Sequence, residues 1–211
     1  GLNLILVLAT ENEDKRREIS AIISGQSNPI TLDIRLLSYY PNISLPPETG
    51  ATYLENATVK ATYVARQTGQ WALGDDTGLE IDALNGAPGL YSSRFAGEGV
   101  SYADNRNKVL DLLSDIPEEK RCARFVCTVV LANPDGTSES AVGVCEGKIS
   151  SPKAGSRAGF GYDPIFYPLQ YNKTFSECSS AEKNKISHRG HAVLAAIDIL
   201  KKKLALLRED I

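Results

Sequence analysis

The chain is poor in the residues that usually build a metal or redox centre. It has two histidines in 211 residues, His188 and His191, both near one end. Its four cysteines, Cys122, Cys127, Cys145 and Cys178, include no Cys-x-x-Cys pair and have no histidine cluster beside them. That spacing argues against a structural zinc site and leaves buried, reduced thiols in a cytosolic protein as the expectation. Cys122 and Cys127 are an odd number of positions apart in one strand-like run, so a regular strand would point them to opposite faces and away from a local disulfide. Long apolar runs are missing as well. Nothing approaches the roughly eighteen residues of a membrane helix. The stretch LNLILVLAT also lacks the basic start of a secretory signal. No membrane partner and a cytoplasmic location are the expectation. There is no excess of positive charge: 23 Lys and Arg stand against 26 Asp and Glu, a formal net charge of -3. A global basic field for a nucleic-acid polymer is therefore excluded. A small polyanion stays open, because a local pocket needs only a few Lys and Arg. Internal repeats and low-complexity linkers are absent.

What remains is the composition of a soluble globular protein, 42% apolar and 23% charged. The length suffices for a sizeable core, as one large domain or two lobes. Residues 2 to 9 read as a buried strand. A helix follows, capped by Thr10 or Asn12, with Ile19, Ile22 and Ile23 on one face. Residues 30 to 37 alternate as a second strand. The spacing predicts a helix over 53–68 with Leu54, Ala57, Ala61 and Val64 inward. Strand should end near Asp75 and resume at 78 to 82, followed by a Gly/Pro loop and a helix over 101–114. Two strand-like runs meet at Asn133-Pro134-Asp135-Gly136, a hairpin signal. From Ala181 onward one long helix is expected. The fold class is α/β, a single compact domain of two lobes.

Four polar clusters are candidates for chemistry, and each has a plain structural explanation beside it. Thr10, Asn12, Lys15 and Glu18 occupy a strand-to-helix turn, a place that favours phosphate, although the same residues make an ordinary helix cap. Glu11 and Asp14 would repel an anion there. Asp75 and Asp76 stand side by side, with Glu48 in a proline-rich loop as a companion; carboxylates suit Mg²⁺ and can activate water, and they also cap turns. Adjacent strand residues point to opposite faces, so only one of the pair can enter a given cleft. AGFGYDPIF, residues 158 to 166, sets Phe160 between two glycines, which suits stacking on a flat base or a Gly-rich turn over a core. EKNKISHRGHA, residues 182 to 192, brings Lys183, His188 and Arg189 together where a glycine interrupts good helix formers.

In this order the clusters resemble the inosine triphosphate pyrophosphatase family. The stretches that carry the resemblance are LATENEDKRREI, ETG with ENA at 48 to 57, DDTGLEIDALNGAPGLYSSRFAGE, GFGYDPIF and EKNKISHRGHA. The resemblance implies hydrolysis of the α–β phosphoanhydride of non-standard purine nucleoside triphosphates (dITP, ITP, XTP), giving the monophosphate and pyrophosphate. It also implies Mg²⁺ and a homodimer. The implied fold is an elongated α/β domain spanning 1–211, with two lobes around a central mixed β-sheet and a substrate cleft between them. Position by position, substrate contacts fall on the first turn (Thr10, Glu11, Asn12, Glu13, Asp14 and Lys15), on Lys60 and on Thr77. They fall also on the base side, with Phe160, Gly161, Tyr162, Asp163, Lys183, His188 and Arg189. Glu48 and Asp76 match the metal site, and Asp76 is the water-activating carboxylate. The family's first turn commonly reads Thr-Gly-Asn where this chain has Thr10-Glu11-Asn12. Either Glu11 points outward and the backbone contact survives, or phosphate binding is weaker. Rival readings are a pyrophosphatase for other modified or pyrimidine nucleotides and a nucleotide sensor without turnover.

Overall fold

The computed structural model describes residues 3–26, 31–152 and 158–209. Leu2 and Ile30, expected in strands, lie outside the described residues. The chain order is β1 (Asn3–Leu8), α1 (Glu13–Ser24), β2 (Thr31–Arg35), α2 (Tyr53–Thr68), β3 (Trp71–Ile81) and α3 (Tyr102–Leu112). Then come β4 (Cys122–Ala132), β5 (Ser138–Ile149), β6 (Phe166–Pro168), α4 (Ser180–Ile186) and α5 (His188–Glu209). The sheet has six strands in the order β2-β1-β3-β4-β5-β6. It is mixed: β1 runs parallel to β2 and β3, whereas β5 and β6 are antiparallel. The described residues fall into two compact units. One comprises those within Gly1–Asp76, Cys127–Gly143 and Arg189–Ile211; the other comprises those within Thr77–Val126 and Val144–His188.

In the first unit β2 and β3 flank β1 on opposite sides. Right-handed crossovers then send α1 and α2 to opposite faces of the sheet. The core records this arrangement. Leu6, Leu8, Trp71 and Leu73 pack with Ile19, Ile22 and Ile23 of α1 and with Val193, Ile197 and Leu200 of α5. Their strand neighbours Val7, Ala9 and Ala72 pack with Ala57, Ala61 and Val64 of α2. The alternation along β1 and β3 is the period-two pleat.

Helix α2 has the bounds its sequence predicts. Thr52 caps it by accepting from the Glu55 N–H, and Gly69 ends it at φ 68°, a left-handed conformation that suits glycine. Its inner stripe differs from expectation. Leu54 lies on the flank of the first turn and is exposed, while Asn56 and Lys60 join Ala57, Ala61, Val64 and Ala65 inside. A Cβ on Gly74 of β3 would fall 2.8 Å from the Ala57 carbonyl oxygen and 3.0 Å from the Ala61 nitrogen. Small residues thus bring this helix close onto the strand.

Two further expectations are corrected. β3 does not end at the acidic step but runs unbroken through Asp75 and Asp76. The expected single C-terminal helix is two, because Ser187 is extended (φ -71°, ψ 157°) and separates α4 from α5. Helix α4 begins with a reciprocal cap between Ser179 and Glu182. The hairpin turn falls where expected, with the Asn133 N–H donating to Thr137 O at 2.8 Å.

In the second unit α3, capped by Ser101, packs Val109 into a core with Leu79, Ile81, Phe125, Phe166 and Phe175. Cys127 and Cys145 are buried as expected, and burial pushes the Cys145 thiol up to about 12, which makes it inert. Cys122 is exposed instead, on the opposite face of β4 from Cys127. No helix among the described residues is long and apolar enough to cross a membrane.

Gly74→Ala should press a methyl group into the α2 backbone and cost about 1–3 kcal/mol. The urea midpoint should fall with an unchanged slope. An unchanged midpoint would contradict the close approach.

Candidate active site

The first unit gathers its charged side chains beyond the C-terminal end of β1 and beside the middle of β3. β1 ends at Leu8, and the Ala9 N–H donates to Leu73 O at 2.8 Å, so the chain leaves the sheet two residues before the level of Asp75. The next turn is local and ordered. The Asn12 N–H donates to Thr10 Oγ1 at 3.1 Å, and Asn12 Oδ1 accepts from the Lys15 N–H at 3.0 Å as the cap of α1. Strand order reverses about β1, the position at which open α/β sheets bind ligands outside the carboxyl ends of their strands.

The pleat decides what the two aspartates meet. Asp75 shares a face with Leu73 and meets the α1 and α5 side. Lys15 Nζ lies 3.2 Å from its Oδ2 and Arg189 Nη2 lies 3.7 Å away. Arg189 is itself 1% exposed and also donates to Glu18 Oε1 at 2.6 Å. Asp76 shares a face with Ala72 and Gly74 and meets α2, where Asn56 Nδ2 donates to its Oδ2 at 2.9 Å. Along the same helix Lys60 Nζ pairs with Glu48 Oε1 at 2.5 Å.

These surroundings split two identical carboxyls. Burial alone would raise the Asp75 pKa, but the charges of Lys15, Arg189 and Lys60 overcome it and hold the group well below the usual carboxylate range. Asp76 moves the other way: burial raises it and Glu48 raises it further, against the Asn56 hydrogen bond and the charges of Lys15 and Lys60. Asp75 is a permanent anion within an ion-paired scaffold. Asp76 is the more basic carboxylate, beside a second carboxylate that repels it.

The second unit holds the aromatic segment. The Phe160 ring is half-buried, with Tyr102 edge-on at 6.3 Å. Gly161 adopts φ 55°, and Arg106 Nη1 donates to its carbonyl at 2.6 Å. Tyr162 is buried and donates from its hydroxyl to Ser92 O at 2.5 Å. Asp163 and Lys183 form a buried pair at 2.6 Å, with the ammonium 5.4 Å from the centre of the Phe160 ring. His188 is also buried, its ring stacked on Phe125 at 4.6 Å.

Residues 6–199 match the model of the Ham1 family. The chain belongs to the Ham1 family. A dITP/XTP pyrophosphatase of Desulforamulus reducens is 44% identical over 195 residues, 92% of this chain and 94% of that protein. Another, from Bacillus cereus, is 45% identical over 190 residues, covering 89% and 90%. A solved HAM1 protein from Coxiella burnetii has a TM-score of 0.81 at 38% identity, over 94% of this chain and 99% of that one.

Within this Ham1 chain, Thr10, Asn12, Lys15, Glu48, Lys60, Asp76 and Arg189 belong to the first unit. Thr77, Phe160 to Asp163, Lys183 and His188 belong to the second. Arg189 pairs with Glu18 and Asp75 of the first unit. The rings of His188 and Tyr162 pack in the aromatic core of the second unit, and Phe160 is half-buried. Glu11, Glu13 and Asp14 are exposed. Glu11 does not have the positive φ that would demand glycine; among the described residues Asn85 is the one non-glycine that does. Two residues were not expected at the site, Asn56 and Arg106, while Glu18, a candidate of the first turn, is a partner of Arg189. The signal for Asn56 was present, since Asn56 and Lys60 are polar residues one helical turn apart beside an alanine stripe.

Among the described residues no group of three His, Cys, Asp or Glu side chains gathers as a cation cage. The donor set instead fits a hard divalent ion of the Mg²⁺ kind, which takes one or two carboxylates and completes its octahedron with water and substrate phosphate. The chemistry of Glu48 and Asp76 suits such a pair, and the charge of Glu48 raises the Asp76 pKa.

The two aspartates should respond oppositely to substitution. Ionised Asp75 stabilises the fold above its unfolded pKa of about 3.9, and that contribution fades as pH falls toward its lower folded value. Asp75→Asn should lose about 3 kcal/mol or more at pH 7 by leaving a buried guanidinium under-compensated, and its stability should be flatter in acid. Asp76, with its raised pKa, costs stability when ionised, so Asp76→Asn should unfold at or above the wild-type midpoint. Urea titrations from pH 2 to 7 check both; equal losses in the two variants would refute the split.

Proposed function

We propose that this protein hydrolyses the α–β phosphoanhydride of dITP, ITP and XTP, releasing the nucleoside monophosphate and pyrophosphate. The observation that carries the reading is buried Asp76, its pKa raised by burial and by Glu48, on the opposite face of β3 from a permanently ionised Asp75. Relatives with 44–45% identity bear the name dITP/XTP pyrophosphatase. Chain 1–211 acts in this reading as one catalytic domain. The homodimer and the cytoplasmic location belong to the reading through the family resemblance.

Glu48 and Asp76 would hold Mg²⁺, which when bound neutralises phosphate charge and polarises the reacting phosphoryl group. The remaining work falls to the chain. Lys15 and Lys60 supply fixed positive charge for the phosphates, and the open N–H groups at the start of α1 add the helix dipole. Thr77 follows Asp76 on β3 and is half-buried, within reach of substrate in this reading. Asp76 takes the proton of the attacking water. The water oxygen bonds to the α-phosphorus, and the bridging oxygen leaves with pyrophosphate. Such catalysis is mostly positioning and charge neutralisation.

In the second unit the Phe160 ring offers a face for a purine. The backbone around Gly161, held by Arg106, offers hydrogen bonds to its edge. A six-position oxygen accepts hydrogen bonds, whereas the adenine amine donates. Donors at that edge would leave the amine mis-paired, which can discriminate by orders of magnitude.

Pyrophosphate release should be strong from deoxyinosine and xanthosine triphosphates and weak from guanosine, adenosine and cytidine triphosphates, and it should vanish without Mg²⁺. A preference for cytidine triphosphate would favour the pyrimidine reading, and binding without release would favour a sensor. Asp76→Asn should lower kcat by about 10²–10⁴-fold, the range for loss of a general base. Near-normal turnover by that variant would remove Asp76 from the role.

A further inference from the structure

Asn56 is 5% exposed on α2, and its side chain joins two parts of the first unit that the chain keeps far apart in sequence. Its Oδ1 accepts from the Gly50 N–H at 2.7 Å, and its Nδ2 donates to Asp76 Oδ2 at 2.9 Å. The amide orientation is fixed by its partners, since a backbone N–H only donates and a carboxylate only accepts. Gly50 lies two residues beyond Glu48, whose carboxylate is held by Lys60 one turn further along the same helix. The loop is pressed against the amide: a Cβ on Gly50 would fall 2.6 Å from Asn56 Oδ1 and 2.8 Å from Glu55 Cβ. A second tie, Ala51 N–H to Glu55 Oε2 at 2.7 Å, closes the loop over the helix start.

We propose that Asn56 is a positioning residue that sets the Glu48 loop and the Asp76 carboxylate in register, so that both acids face one divalent cation. This rests on the pyrophosphatase reading above and deepens it. A neutral amide suits the task. It accepts on one side and donates on the other at a fixed separation, and it adds no charge to a pair of carboxylates that already repel. A carboxylate in its place would add repulsion, and an ammonium would compete with the cation. Polar groups that orient metal-binding side chains typically change affinity or activity by about 10–100-fold when removed.

The test compares wild type, Asn56→Ala and Gly50→Ala. Alanine suits a helix interior, and Gly50→Ala leaves Asn56 intact while displacing the loop, so it still tests the idea if the first variant folds poorly. Four quantities are measured below the unfolding temperature: kcat and KM for deoxyinosine triphosphate, the Mg²⁺ concentration for half-maximal rate, and Mn²⁺ affinity of the nucleotide-free protein by electron paramagnetic resonance. The expected result is a kcat lower by about 10–100-fold, a raised Mg²⁺ requirement and weaker Mn²⁺ binding in both variants, with KM little changed. A purely structural role would lower the melting temperature and leave metal affinity alone. Folded variants with wild-type kcat and Mn²⁺ affinity would overturn the proposal. A wild-type protein that binds Mn²⁺ but releases no pyrophosphate would instead overturn the functional reading.

Discussion

A pleated strand cannot turn two neighbouring side chains to the same face, and β3 places two carboxylates in sequence near its middle. Everything at the candidate site follows from supplying each face with its own partners. Strands β2 and β3 lie on either side of β1, and right-handed crossovers place α1 over one face and α2 over the other. Asp75 therefore meets Lys15 and Arg189, while Asp76 meets Asn56. The crossover rule and the pleat together turn a pair of like charges into two sites with different chemistry.

The two faces are not equivalent energetically. On the Asp75 side, Asp75 and Arg189 are buried in an ion-paired group that partly exposed Lys15 and Glu18 complete. Such groups add little net stability as a whole but are costly to break. That makes the Asp75 face a rigid mount for Lys15. On the Asp76 side the acid is held by one neutral amide and faced by a second acid. Its ionisation works against the fold, the usual balance at a site where function takes precedence over stability.

Much of the local structure was legible because local signals agreed. Thr52 and Gly69 mark both ends of α2, and Asn133-Pro134-Asp135-Gly136 marks the hairpin. The motifs also pointed to the family. What was not legible depended on tertiary partners. Two adjacent aspartates look like the end of a strand unless Lys15 and Asn56 are known to lie on opposite sides of it. Arg189 was placed on the base side by family resemblance, and no local signal marked Glu18 and Asp75 as its ion-pair partners. Glu11 looked incompatible with its turn only if the turn required positive φ, and it does not. Asn56 was overlooked because the Asn56–Lys60 spacing marks a polar pair on the inner stripe of α2 without saying what it faces.

The account stands on the assignment of metal chemistry to the Asp76 face and of scaffolding to the Asp75 face. The most direct measurement is a crystal structure with Mg²⁺ and a deoxyinosine triphosphate analogue whose α–β bridge resists hydrolysis. The account predicts the ion about 2.0–2.1 Å from oxygens of Glu48 and Asp76, with Asp75 still paired to Lys15 and Arg189. An ion coordinated directly by Asp75, with Asp76 turned away, would contradict it.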